Sequence, residues 1–162
     1  MAVSEIIGAV VGVMLLVVVA YVIVTSTLVT GETIAGTQKD LVLQQEARLR
    51  TSISLDDPHN ATEQASIIMA NLTNTGTEPI SDFKHMDVLV YDQELMTYGI
   101  CTYDETGGTA GTWNIANRYG EFIHPYSLDP GERYQLRIMS NGNRPKWIQV
   151  TTANGVYASA FL

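Results

Sequence analysis

Ile6-Ile7-Gly8-Ala9-Val10-Val11-Gly12-Val13-Met14-Leu15-Leu16-Val17-Val18-Val19-Ala20-Tyr21-Val22-Ile23-Val24-Thr25-Ser26-Thr27-Leu28-Val29 contains no charged residue, and 15 of its 24 residues are Val, Ile or Leu. As an α-helix rising about 1.5 Å per residue, the run reaches about 36 Å, enough to cross a hydrocarbon core of about 30 Å. Each Val, Ile or Leu near the membrane centre favours insertion by about 0.3–0.6 kcal/mol, which outweighs Gly8, Gly12 and the Thr25-Ser26-Thr27 cluster. Inside lipid the backbone must satisfy its own hydrogen bonds, so the segment must be helical. A buried core helix needs neither this length nor this uniform apolarity. The stretch reads as a single membrane anchor.

Only Met1-Ala2-Val3-Ser4-Glu5 precede the run, with no Lys or Arg. A secretory signal has a basic start, a shorter apolar core and a small-residue cleavage site. Ala35-Gly36-Thr37 lies too far past the core to serve as that site. The segment is therefore expected to be retained. Ser4 is placed to cap the helix, and Glu5 complements the positive end of its dipole. A carboxylate at the membrane edge also seeks a partner, which makes Glu5 a candidate interaction residue toward a neighbouring subunit.

Beyond the anchor, Thr30 to Gly36 is a place where the helix is expected to loosen, with a break near Gly31 or Gly36. The helical pattern resumes from Thr37 to Arg50, with Leu43 and Ala47 four apart and Glu46 and Arg50 forming an i,i+4 pair. Residues 1–50 thus read as transmembrane anchor and stalk. About 130 residues follow the anchor, enough for one modest domain.

From Thr51 the pattern alternates with period two. Ser52–Leu55, Gln64–Leu72, Asp87–Tyr91, Met96–Ile100, Tyr134–Ile138, Trp147–Thr151 and Val156–Phe161 read as strands, and Trp113 to Ile123 is ambiguous. Turn signals separate them: Asp56-Asp57-Pro58-His59-Asn60, Asn74 to Pro79, Leu128-Asp129-Pro130-Gly131 and Ala153-Asn154-Gly155. Short strands at this spacing point to an immunoglobulin-like β-sandwich over 51–162, so the chain as a whole is mainly β after its helix. Val88, Val90, Leu136, Ile138, Ile148 and Val150 are the expected core, with Trp113 or Trp147 at its centre.

The formal charge of −8 and pI of about 4.7 argue against nucleic acid and against docking on anionic lipid through a basic patch. Cys101 is the single cysteine, so no internal disulfide forms. His59, His85 and His124 lack metal-ligand spacing, and Asp56-Asp57 and Asp104-Glu105 read as solvated pairs. No phosphate loop, Ser/His/Asp order or Gly-x-Ser-x-Gly appears. The expectation is no enzyme, no catalytic residue, no cofactor and no metal.

The helix with Glu5 at its start and the all-β remainder resemble the archaeal type IV pilin-like superfamily. Ala2-Val3-Ser4-Glu5-Ile6-Ile7-Gly8 is similar to the start of processed archaeal pilins. Ile67 to Ile80 resembles the strand and Asn-x-Gly turn of that group, Asp87–Tyr91 its next strand, Leu128–Glu132 its Pro-Gly-Glu turn and Thr152–Tyr157 its closing hairpin. Filament subunits of that superfamily are made with a basic leader, and none is seen here, so the chain looks more like the archaellum accessory proteins of the FlaF/FlaG type. The stalk running directly into strand Thr51–Leu55 leans toward FlaF. The resemblance implies an outer domain that binds the surface-layer (S-layer) protein and other archaellum subunits and holds the motor's stationary part. An archaeal pilin or archaellin-like filament subunit is the alternative, and a homo-oligomer is compatible with either.

Membrane contact would be by one helix, with the β-domain outside the cytoplasmic membrane. Asn60-Ala61-Thr62 and Asn71-Leu72-Thr73 are N-glycosylation sequons that suit that orientation. Exposed sheet edges would supply the contact with other proteins, and Gln64–Leu72 and Trp147–Thr151 are the candidate edge strands. Ile67, Met69, Ile148 and Val150 are the corresponding candidate interaction residues. A fragment from Thr51 to Leu162 is expected to be soluble and to unfold in one cooperative thermal transition; an aggregated or molten fragment overturns the reading of an independent β-domain.

Overall fold

The computed structural model describes residues 2–61, 66–120, 124–142 and 144–162, with backbone alone for residues 2–5. The chain divides into two compact units, Met1–Gln44 and Gln45–Leu162. Helix α1 runs over Ala2–Arg50, 49 residues without interruption. Among the described residues it is the one helix long and apolar enough to cross a membrane.

The expected break at Gly31 or Gly36 does not occur. A Cβ added at either glycine would meet nothing within 4 Å beyond the helix's own backbone, so neither answers a packing demand. The hydroxyls around them turn inward along the helix: Thr30 donates to the Ser26 carbonyl, Thr33 to Val29 and Thr37 to Thr33, each at 2.8–2.9 Å. Thr25, Ser26 and Thr27 do the same one turn earlier. Each hydroxyl thereby finds an acceptor without leaving the helix. The two glycines cost about 1 kcal/mol each relative to alanine, too little to interrupt a helix of this length.

Among the described residues eight strands follow: β1 (Ile53–Asn60), β2 (Ile67–Asn74), β3 (Asp87–Asp92), β4 (Thr97–Tyr103), β5 (Thr112–Tyr119), β6 (Arg133–Met139), β7 (Pro145–Thr151) and β8 (Tyr157–Phe161). Their order is β1-β2-β6-β5-β4-β3-β7-β8. Antiparallel pairing builds two four-stranded layers, β1-β2-β6-β5 and β4-β3-β7-β8. These are the A-B-E-D and C′-C-F-G orders of an immunoglobulin-like sandwich. A short parallel seam, Thr102↔Thr112 and Tyr103↔Trp113, joins the layers through β4 and β5.

The sequence placed a loop at Asp56–Asn60, but β1 continues through it. A bulge lies between Asp56 and His59, with Asp57 at φ 52°, and pairing resumes at His59↔Met69. A bulge lets one strand absorb a proline that a regular ladder would reject, and here it takes up Pro58. The ambiguous stretch after Trp113 is β5, with its own irregularity between Ile115 and Asn117. Gln64, at the start of the expected second strand, and residues 121–123 lie outside the described residues.

The six expected core residues are all buried, and Trp113, fully enclosed, occupies the centre, whereas Trp147 is half-buried. Phe83, Tyr103, Trp113 and Tyr134 form one aromatic cluster, with Tyr103 and Trp113 centroids 4.9 Å apart. Tyr134 Oη donates to the Ser127 carbonyl at 2.6 Å, so its ring is buried while its hydroxyl is satisfied.

Asn74 is the fully buried polar residue that fixes the turn after β2. Its Nδ2 donates to the carbonyls of Glu78 and Leu128, and its Oδ1 accepts from Gly76 N–H at 3.0 Å. Gly76 lies so close to the end of α1 that a Cβ there would come within 2.5 Å of Arg50 O and Ser52 N. Thr75 and Gly76 donate to Ser52 O, and Thr77 to Arg50 O. Asn74→Ala strands these buried partners, at about 1–3 kcal/mol for each group left unpaired. It should lower the urea midpoint far more than Thr73→Ala beside it; equal shifts would show that Asn74 does not brace the turn.

Candidate interaction surface

Alternation fixes which side chains each strand can offer a partner. In the β4-β3-β7-β8 layer Val88, Val90, Cys101, Ile148 and Val150 point into the core. The opposite parity points outward in rows. One row is Tyr98, Tyr91, Trp147 and Phe161, each directly opposite the next across β4, β3, β7 and β8. Tyr91 and Tyr98 lie 5.0 Å apart, and Tyr98 meets Trp147 edge-on at 6.0 Å. The next row is Ile100, Leu89, Gln149 and Ser159, and the one beyond it Asp87, Thr151 and Tyr157. Tyr98 is 65% exposed, Ile100 60% and Phe161 80%. Asp87 carries the one charge in these three rows, in a chain of net −8. Large apolar side chains exposed together on one face make it the candidate interaction surface.

The outward face of the other layer is chemically different. Asn117 Nδ2 donates to Gln135 Oε1 at 2.7 Å, and Arg133 Nε to Thr73 Oγ1 at 3.3 Å. Polar side chains there pair across neighbouring strands.

The hairpin beside the aromatic rows is held by Asp92, itself 3% exposed. Its Oδ1 accepts from Glu94 and Leu95 N–H at 2.9 and 3.0 Å, and its Oδ2 from Arg144 N–H at 2.8 Å. Gly142 is required against it, because a Cβ there would collide with the Asp92 carboxylate. Burial pushes the Asp92 carboxyl up, but the N–H groups of Leu95, Arg144 and Glu94 and the Arg144 charge outweigh that and hold it below its usual value. The hairpin tip presents Leu95 and Met96, both exposed.

The structure separates the residues singled out from the sequence. The Glu5 side chain lies outside the described residues. Ile67 and Met69 sit half-buried on the outward, polar face of β2. Ile148 and Val150 are fully buried, so their role is core and not contact. Neither candidate edge strand is an edge: β2 lies between β1 and β6, and β7 between β3 and β8. Both ladder sides of each are already paired. Asn60 is exposed at the end of β1, with Thr62 outside the described residues, whereas Asn71 sits mid-strand opposite Asp56 and Gln135.

The His85 imidazole pairs with Asp82 at 2.7 Å and that of His124 with Asp129 at 2.8 Å, both histidines being exposed. No cluster able to hold a metal occurs among the described residues. Burial pushes the Cys101 thiol up to about 11, so at neutral pH it stays a protonated, enclosed group.

No family model and no curated protein matches the chain. Solved structures do. The archaellum periplasmic stator protein FlaG from Sulfolobus acidocaldarius is 21% identical with a TM-score of 0.52, covering 69% of this chain and 99% of that one. The archaellum periplasmic stator protein complex of FlaF and FlaG from the same organism gives 21% identity and a TM-score of 0.51, covering 68% and 87%. The fold is shared. The lean toward FlaF gains nothing from these matches, since the protein solved alone is FlaG.

A carboxylate held low in the folded state contributes stability above its unfolded value, near 3.8, and that contribution is lost as pH falls through the folded value. The sandwich should therefore lose stability as pH drops toward and below 3.8. Asp92→Asn, which has no carboxylate to titrate, should be less stable at pH 7 and show a shallower fall; parallel pH–stability curves overturn the brace assigned to Asp92.

Proposed function

We propose that this chain is a membrane-anchored accessory protein of the archaellum, a stator component whose β-unit works by holding other proteins and not by catalysis. The observation that carries the reading is the combination of one helix fit to cross a membrane with a sandwich shared with a periplasmic stator protein. The FlaF–FlaG complex among the fold relatives supports association with other archaellum subunits. The surface-layer protein is the second partner class in this proposal, which rests on the family resemblance. The sandwich stands outside the cytoplasmic membrane, carried by α1, and the exposed aromatic face supplies contact area with little charge.

Two measurements test it. Protease added to intact spheroplasts should digest the β-unit, and full protection overturns the orientation. When filaments are sheared from cells, the chain should stay with the envelope and be cross-linked there to archaellum subunits. Recovery mainly in the sheared filament fraction would make it a filament subunit instead.

A further inference from the structure

We propose that the outward face of the β1-β2-β6-β5 layer binds an acidic polysaccharide, laid along β6 with its carboxylates on Arg133 and Arg137. The inference goes beyond the accessory role above and does not rest on it.

Charge sets this face apart. Residues 51–162 hold 13 Asp or Glu against 6 Lys or Arg, yet β2, β5 and β6 contain three arginines and no acidic residue. Arg133 and Arg137 share the outward parity of β6, four residues and so about 13 Å apart. Neither has a carboxylate within ion-pair distance among the described residues. Arg133 Nε donates to Thr73 Oγ1, which orients the guanidinium and leaves its Nη groups to an anion. In a chain of net −8 this is the strand face that attracts an anionic partner.

The groups between and beside the arginines suit a sugar. Gln135 lies between them on β6, with Asn71 across on β2 and Asn117 across on β5. Each amide carries a donor and an acceptor, as a sugar hydroxyl does, whereas a peptide carboxylate only accepts. The Asn117–Gln135 bond uses one donor and one acceptor and leaves the other of each. Asn71 Oδ1 has no partner among the described residues. Tyr119, 48% exposed, stands opposite Arg133, and its negative π-face attracts the C–H side of a sugar ring. Asn71, Tyr119, Gly120, Gly131 and Arg133 line one open cleft of about 560 Å³, within the size range of small-molecule sites. Because β2 and β6 are paired on both sides, an acidic peptide cannot join this face as an added strand.

The test floats the full chain in phosphatidylcholine vesicles with fluorescent hyaluronate, alginate or polygalacturonate. Neutral dextran and polyglutamate are the comparisons. At least one polyuronate should bind about tenfold or more tighter than either comparison, since it alone offers both hydroxyls and carboxylates. Arg133→Gln with Arg137→Gln should weaken that binding about tenfold or more. Tyr119→Ala should weaken it about threefold or more through the lost ring contact. Lys146→Gln, which removes a cation from the other layer, should change it less than about twofold. Thermal midpoints check that each variant folds; should the double variant melt early, Arg137→Gln alone should still cost about threefold. The proposal is overturned if no polyuronate floats with the vesicles, or if the folded arginine variants bind as the parent does. It is overturned equally if polyglutamate binds as tightly and Tyr119→Ala has no effect, which would make the face a general anion patch open to acidic proteins.

Discussion

A strand commits alternate side chains to opposite sides, and everything distinctive about this β-unit follows from that constraint. In β3 and β7 both parity sets carry large apolar or aromatic side chains, with Asp87, Gln149 and Thr151 among the outward ones. Val88 and Val90 close the core while Leu89 and Tyr91 are carried outward; Ile148 and Val150 are enclosed while Trp147 is turned toward the surface. A register slip of one residue would exchange the two sets and put Asp87 and Gln149 into the core, so the pairing is strongly specified. The outer face is thus a by-product of a register that the core dictates, and it sits on a rigid support.

Much of this was legible in the chain. The anchor follows from length and the absence of charge, and the strands and six core residues follow from period-two alternation. What escaped was non-local. Which strands stand at sheet edges depends on pairing order, and nothing within Ile67–Asn74 or Pro145–Thr151 reveals that each has a neighbour on both sides. The aromatic row likewise exists only once β4, β3, β7 and β8 lie side by side in one register. A local hint was present, because Asp87-Val88-Leu89-Val90-Tyr91 is apolar on both faces, where a half-buried strand would alternate with polar residues.

Two further differences trace to side chains overriding backbone expectation. Glycine and threonine near residues 30–37 lower helix propensity, yet each threonine supplies its own hydrogen bond back along α1. Asp57-Pro58 should end a strand, and a bulge absorbs both instead. Buried polar groups were also hard to foresee. Asn74 reads as an ordinary turn residue, and the bracing roles of Asn74 and Asp92 include an acceptor 54 and a donor 52 residues away, respectively.

The parallel seam between the two layers rests on two residue pairs, whereas every other strand-to-strand ladder among the described residues is antiparallel and longer. Cys101, enclosed in β4 just before that seam, sits where the layers should part first. Its chemistry then becomes a gauge of breathing. A thiol reagent reaches it only in molecules in which β4 has opened, so its rate, set against that of an unprotected thiol, counts the open fraction at equilibrium. The β-unit thus carries a native reporter of its own opening, read without an added label.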